Sequence, residues 1–468
     1  MKIVVLSGGT AANAILPALE LLADELSFVL PISDNGGSTS EILRVVGGPA
    51  IGDVRSRIVS LVQDEKLRSL LGYRLPEDQV SAKQEWNLIV EGTHEIWRGF
   101  ASEVKEICRS FLVHIQAELL KKQKSSAPFQ FEKASVGNLF LTGARLFLGS
   151  LDAAIELMLR VCRCDERMSV IPCINTNHTH HISALLANGE VITGQSQISH
   201  PAKRNGNRGA ERDASSSPRS GQNSLLGPDA VVQLSASALG ADHDTEDNEE
   251  EFAYPGYIHP ALKLSQLHFD KVELADNPLL PAAVQRIFYI NPYGEEVLPL
   301  GSSRAIPKLK HCDLVLFSIG SLMTSLLPIT ILGNIAESIF ENRGARKVLL
   351  VNNKYDRETS GLDGAHFVHM IVDSMHRAIC NHSQRRRGSP ASPSSRDGSE
   401  LAWSDFVTDV VYLKYGEIHV DTKLLNARGI RTHAIASEKF ENDKLYEILH
   451  RLTSGEASDC LHTDGDKL

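Results

Sequence analysis

Apolar runs rich in Val, Ile and Leu recur at Lys2–Leu6, Phe28–Ile32, Ser169–Ile174, Arg286–Ile290, Leu314–Ser318, Val348–Val351 and Val410–Leu413. Helical patterns such as Ala14–Glu25, Leu139–Cys162 and Ile329–Phe340 separate many of them. A strand that is apolar on both faces has to be covered on both faces, the condition of parallel strands joined by crossover helices. The expected fold class is therefore α/β, with a doubly wound, mostly parallel sheet. Residues 84–122 carry Trp86, Ile89, Trp97, Phe100, Phe111 and Ile115 at helical spacings, which predicts an amphipathic helical insertion whose stripe is core.

Two stretches break the alternation. Residues 202–251 are Gly-, Ser-, Asn- and Arg-rich and then acidic, and residues 382–400 are rich in Ser, Pro and Arg, with Arg385-Arg386-Arg387. Neither has the apolar surface to offset the entropy of ordering, so both are expected to be disordered, solvated insertions. One core is then assembled from 1–201, 252–381 and 401–452, followed by a flexible tail over 453–468. A hydrophobic share of 42% over 468 residues is ample for a sizeable core. The net charge of −10 argues against nucleic acid or anionic membrane as partners, though not against a small anion held by local donors and a metal. The seven cysteines lie mostly inside apolar segments, which fits reduced thiols and a cytoplasmic location.

The chemistry is expected where strands end. In an open α/β sheet, ligands sit beyond the carboxyl ends of the strands. The first run passes directly into Ser7-Gly8-Gly9-Thr10, where glycines admit an anion close to the backbone and the next helix offers unpaired N–H groups. The spacing is neither a dinucleotide fingerprint nor a P-loop. Such a pair of glycines also makes a plain turn.

The second run ends in Asp34-Asn35-Gly36-Gly37-Ser38, a carboxylate, an amide, two glycines and a hydroxyl together. Asp34 suits a hydrated Mg²⁺ or a ligand hydroxyl. An Asx-turn with a helix cap uses the same groups. Gly52-Asp53 then precedes a helix with Arg55 and Arg57 as nearby cations. A second carboxylate beside Asp34 suits a shared divalent ion, and a surface ion-pair network is the alternative. Gly137 and Asn138 open the long apolar helix, and Gly320-Ser321 follow another strand. His178 and His180 would share a face of a strand, but no further ligand stands at metal spacing and a loop is the simpler reading.

In this order the stretches SGGTAAN from Ser7, DNGGSTSEILRVVGGPAIGDVRSRI from Asp34, SVGNLFLTGARLFLGSLDAAI from Ser135, DLVLFSIGSLMTSLLPITILGNIAESI from Asp313 and LLVNNKYDRETSG from Leu349 resemble the CofD-like superfamily. That superfamily comprises 2-phospho-L-lactate transferases of deazaflavin-coenzyme synthesis and YvcK-type gluconeogenesis factors. The resemblance implies a Rossmann-like core with a smaller added subdomain. It also implies a nucleotide diphosphate ligand with Mg²⁺, and transfer of a phospholactyl group to a hydroxyl with release of GMP. On that basis Ser7, Gly8, Gly9, Thr10, Gly320 and Ser321 would cradle phosphates, with Asn35, Gly36, Gly37, Ser38, Arg55 and Gly137 completing the ligand site. Asp34 and Asp53 would be the catalytic and metal-holding carboxylates, and Asn138 would fix the ligand. The expected partner is a small nucleotide-linked substrate, and a homodimer is an admissible assembly. The chain has Ala11 where the family usually has glycine, and its second loop is closer to the YvcK-type form. YvcK-type members imply the alternative of a nucleotide-sugar-binding regulator of carbon metabolism without catalysis.

Overall fold

A computed structural model describes residues 1–33, 36–199, 279–387 and 402–454. Its main sheet contains β1 (Lys2–Leu6), β2 (Glu25–Leu30), β3 (Met168–Pro172), β8 (Leu314–Phe317), β9 (Arg346–Leu350), β10 (Asp409–Leu413) and β11 (Arg431–Ile435). The seven strands run in the order β11-β10-β9-β8-β1-β2-β3, each pair parallel. The chain thus moves outward from β1 to β3, returns to β8 beside β1, and moves outward the other way. That reversal makes β1/β8 the topological switch point, where an open α/β sheet leaves a crevice at its carboxyl edge.

A second, antiparallel sheet lies between β3 and β8 in sequence: β4 (His181–Leu186), β5 (Val191–Thr193), β6 (Val284–Ile290) and β7 (Glu296–Val297), in the order β5-β4-β6-β7. This is the smaller added unit, and its Gln195–Ser199 turn of helix packs against the segment after β8.

The central strands are apolar and buried along almost their whole length, Val5, Leu6, Phe28, Val29 and Leu316 having no exposed surface. Several sequence-predicted helices are shorter than expected. The Ala14–Glu25 pattern resolves into a 3-10 turn, Ala11–Ile15, and α1 (Leu16–Leu22). Pro17 fits the first turn of α1, while Glu25 is drawn into β2 by pairing with Lys2. Following α2 (Ser38–Val45), α3 (Gly52–Leu61) and α4 (Glu65–Gly72), the predicted 84–122 helix is α5 (Gln79–Glu91) and α6 (Ser102–Lys122). Gly92 and Gly99, both in left-handed conformations (φ 81° and 77°), break it. The Leu139–Cys162 pattern is likewise α7 (Val136–Leu148) and α8 (Leu151–Val161), parted at Gly149 and restarted by a Ser150 cap.

The expected insertion at 202–251, and residues 252–278 after it, lie outside the described residues, as do 388–401. The second insertion begins later than expected: residues 382–387 continue the Gly364–Arg387 helix. Thr453 and Ser454 likewise finish the Asn442–Ser454 helix. Among the described residues no single helix is long and apolar enough to cross a membrane. The bent pair Leu322–Thr330 and Gly333–Glu341, apolar enough by composition, turns through 77° and packs on the Gly364–Arg387 helix inside the fold.

Candidate functional site

The first loop leaves β1 at the switch point and stays sewn to both neighbouring strands. The Ser7 N–H donates to the Val29 carbonyl (3.3 Å), and the Ser318 N–H to the Leu6 carbonyl (3.0 Å). Its glycines answer to close approach. A β-carbon on Gly9 would lie 2.5 Å from Asp53 Oδ1, and one on Gly8 would lie 2.5 Å from Ser325 Oγ. The first turn of α3 and the segment after β8 therefore close on the loop from two sides, bringing Asp53 and Ser325 against its backbone. Thr10 is exposed at the start of the 3-10 turn.

In the second loop Asp34 and Asn35 lie outside the described residues. Gly36 and Gly37 lead into α2, Gly37 with φ 54°, a conformation that favours glycine. The Ser40 hydroxyl closes the turn onto the Gly37 carbonyl (2.7 Å). Ser38 accepts the Ser135 N–H (3.3 Å) and the Asn138 Nδ2–H (3.1 Å), and Asn138 Oδ1 accepts from Arg55 Nε (3.0 Å). The fold thus unites Ser38, Arg55 and Asn138 from three elements. Asn138, 2% exposed, bonds protein partners at both ends of its amide and so ties the second loop to α3 and α7. Gly137 serves packing too: a β-carbon there would lie 2.1 Å from the Leu71 carbonyl oxygen, so the close approach is to α4.

The third loop follows β8. Asn352 clamps Gly320 by accepting its N–H (3.0 Å) and donating to its carbonyl (2.6 Å). Ser321 caps the next turn, accepting the Thr324 N–H (3.0 Å) and the Thr324 hydroxyl (2.8 Å), and donates its own proton to Glu358 Oε2. Glu358 is 5% exposed and accepts from Ser199 through its other oxygen. Burial, with the neighbouring Asp356 charge second, raises its carboxyl to about 7.

Arg57, in α3, has no exposed surface. Its Nη1 donates to Asn13 Oδ1 (2.7 Å) and its guanidinium carbon stands 4.3 Å over the Phe28 ring. Nε and Nη2 have no partner among the described residues. Burial lowers its pKa to about 10, against the pull of Asp53. The hydroxyls of Ser7, Ser33 and Ser318, just past the ends of β1, β2 and β8, are also buried and unpartnered. Buried donors without partners past the ends of neighbouring strands are suited to an anion.

Arg57 was expected only as a nearby cation, and Ser325, Asn352 and Glu358 only within strand-end loops, without individual roles; Ser199 is a member that the sequence did not single out. The one available signal was polar side chains following apolar strands. His178, by contrast, lies in a loop, and β4 begins only at His181, a buried ring lowered to about 4 by burial. A separate depression of about 610 Å³, lined by Met1, Leu22, Asp313, Arg346 and Tyr446, lies at the opposite edge of the sheet.

These features define an open, Rossmann-like α/β protein with Gly/Ser-rich strand-end loops at its switch point. The sequence profile of the family described as 2-phospho-L-lactate transferase CofD matches residues 3–451, and the chain belongs to that family. It is 58% identical over 462 residues to a Saccharomyces cerevisiae protein named "Uncharacterized protein YNL011C", covering 97% of this chain and 99% of that one. A Halalkalibacterium halodurans protein named "Gluconeogenesis factor" is 25% identical over 127 residues, 27% of this chain and 39% of that one. A crystal structure of a Bacillus halodurans protein superposes with a TM-score of 0.55 at 17% identity, covering 96% of this chain and 99% of the other, a likeness of fold.

Proposed function

We propose that the chain is a transferase of the CofD kind, moving a phospholactyl-type substituted phosphoryl group from a nucleotide diphosphate donor to an acceptor hydroxyl. The acceptor oxygen forms a bond to the transferred phosphorus, the bridging P–O bond of the diphosphate breaks, and a nucleoside monophosphate leaves. The acceptor's proton passes to a base or to water. The carrying observation is the buried guanidinium of Arg57, with two nitrogens unpartnered among the described residues, bonded to Asn13 in the 3-10 turn that follows the first strand-end loop. In phosphoryl transfer the protein contributes chiefly positioning and charge neutralisation.

A Mg²⁺ ion would rest in part on Asp53. Magnesium is commonly held by one or two carboxylates together with substrate phosphates and water, and Asp53 places a carboxylate directly against the first loop. Asp53 would hold the ion together with Asp34, whose position lies outside the described residues. The ion would neutralise phosphate charge. The backbone of Ser7–Thr10 would bind the diphosphate, Arg57 would supply fixed positive charge, and Asn138 with Arg55 would hold the second loop in place.

A second reading, a nucleotide-sugar-binding regulator without catalysis, draws support from the name of the Halalkalibacterium halodurans relative. Calorimetric titration with GDP, GMP and UDP-N-acetylglucosamine, with and without Mg²⁺, separates the two. Guanine preference with a metal requirement supports the transferase, whereas tight metal-independent binding of the UDP-sugar overturns it.

A further inference from the structure

Glu358 joins three separate segments. It takes hydroxyl protons from Ser199, at the end of the small unit's last described helix, and from Ser321, in the loop after β8, while itself following β9. Thr324 completes the cluster, with its hydroxyl 2.8 Å from Ser321 Oγ, 3.2 Å from Ser199 Oγ and 3.5 Å from Glu358 Oε1. The charged groups near Glu358 are its chain neighbours Asp356, which disfavours ionisation, and Arg357, whose guanidinium donates to the Gln197 and Ile198 carbonyls. Gln195–Ser199 and Leu322–Leu326, the two segments packed against it, contribute hydroxyls and no charged side chain.

The proton inventory has a consequence for the cleft. A hydroxyl has one proton and two lone pairs. Ser321 gives that proton to Glu358 and receives the Thr324 N–H and O–H, so toward a ligand its side chain has nothing left to donate. With one proton added to the carboxylate, every bond can be remade. Glu358 then donates from Oε2 to Ser321 Oγ, the Thr324 N–H keeps its acceptor, and the Thr324 hydroxyl turns to Glu358 Oε1 or Ser199. Ser321, half-buried where Glu358 is buried, is left with a free O–H.

We infer that Glu358 is a positioning residue through which binding of a phosphate-bearing anion takes up a proton: protonation of its carboxyl releases the Ser321 hydroxyl to donate to a phosphate oxygen. This rests on the reading of the cleft as a nucleotide diphosphate site. Its position suits it to the task, since burial and the Asp356 charge hold the carboxyl near neutrality.

The test is calorimetric titration of GDP with Mg²⁺ into the full-length chain at about pH 6, 7 and 8, in pairs of buffers of different ionisation heat. It compares the wild type with Glu358→Gln and Ser321→Ala. The glutamine amide can donate to Ser321 as the protonated acid would. The nucleotide's own phosphate titrates alike in all three proteins. The wild type is expected to take up more protons per GDP than either variant. Its Kd should rise about tenfold more than theirs from pH 6 to 8. Equal proton counts and equal pH slopes in wild type and Glu358→Gln overturn the inference while leaving nucleotide binding intact. An excess that persists in Ser321→Ala overturns the route through Ser321, and this variant carries the test if Glu358→Gln does not fold. Failure of the wild type to bind GDP at any pH overturns the reading of the cleft, and this inference with it.

Discussion

Asp53 and Gly9 are packed so closely that a β-carbon on Gly9 would lie 2.5 Å from the Asp53 carboxylate and 2.8 Å from the Asp53 α-carbon. The first strand-end loop and the first turn of α3 meet with no room for a side chain. The backbone that carries the candidate metal-holding carboxylate is thereby held close against the loop.

Gly9→Ala is therefore expected to move α3 away from the loop. Overpacking of this kind costs about 1–3 kcal/mol, and the displaced carboxylate should weaken Mg²⁺-dependent GDP binding at least about tenfold. Thermal melting beside calorimetry checks both; unchanged binding would remove Asp53 from the site.

Asp53→Asn keeps the shape and removes the charge. Metal-dependent GDP affinity should fall far more than stability, by about a hundredfold against a stability loss of about 1 kcal/mol. Comparable losses in both would make Asp53 a helix-start residue only.

Arg57→Met separates binding from folding. Replacing a poorly paired buried cation by an apolar chain of similar length is often neutral or stabilising. The melting temperature should hold or rise, while affinity for pyrophosphate drops at least about tenfold. A large loss of stability would show the guanidinium to be structural.

Glu358 also predicts how stability depends on pH. Its carboxyl is raised from 4.5 to about 7 in the folded protein, so the unfolded chain loses this proton first as pH rises. The contribution is full below about 4.5 and is lost as pH climbs toward 7. Glu358→Gln should thus gain stability relative to wild type from pH 5 to 8, read by denaturant unfolding at each pH. A constant difference would contradict the raised value.

Gly137→Ala probes the support beneath the cleft. A carbonyl oxygen 2.1 Å from the new β-carbon belongs to backbone and cannot swing aside, so a loss of about 3 kcal/mol is expected. A mild effect would mean that α7 can slide on α4.

Strand β1 was legible because its apolar run is uninterrupted and central. Strand β11, Arg431–Ile435, was not, because it is an edge strand whose polar residues are held by tertiary pairing: Arg431 and His433 both bond the buried Asp409. The strand-end loops were legible as glycine and serine clusters, and their meeting at β1/β8 followed from the class of fold. What each residue does there was not. Asn138 has the composition of a ligand contact but spends its amide on Ser38 and Arg55, a fact of three-dimensional neighbours. Glu358 looked like one acid in a polar loop; its burial and its partner Ser199 arise only when distant segments pack.

The pairing of β1 with β8 also governs how the protein can be made. One flank of β1 can bond β2 early, but the other finds its partner only at Leu314–Phe317. A nascent chain must hold an apolar strand with an unsatisfied edge through more than half of translation, the condition under which edge-to-edge association threatens. Premature termination anywhere before Leu314 would leave that edge bare and the crevice without its second wall, giving a sticky fragment rather than a weaker enzyme.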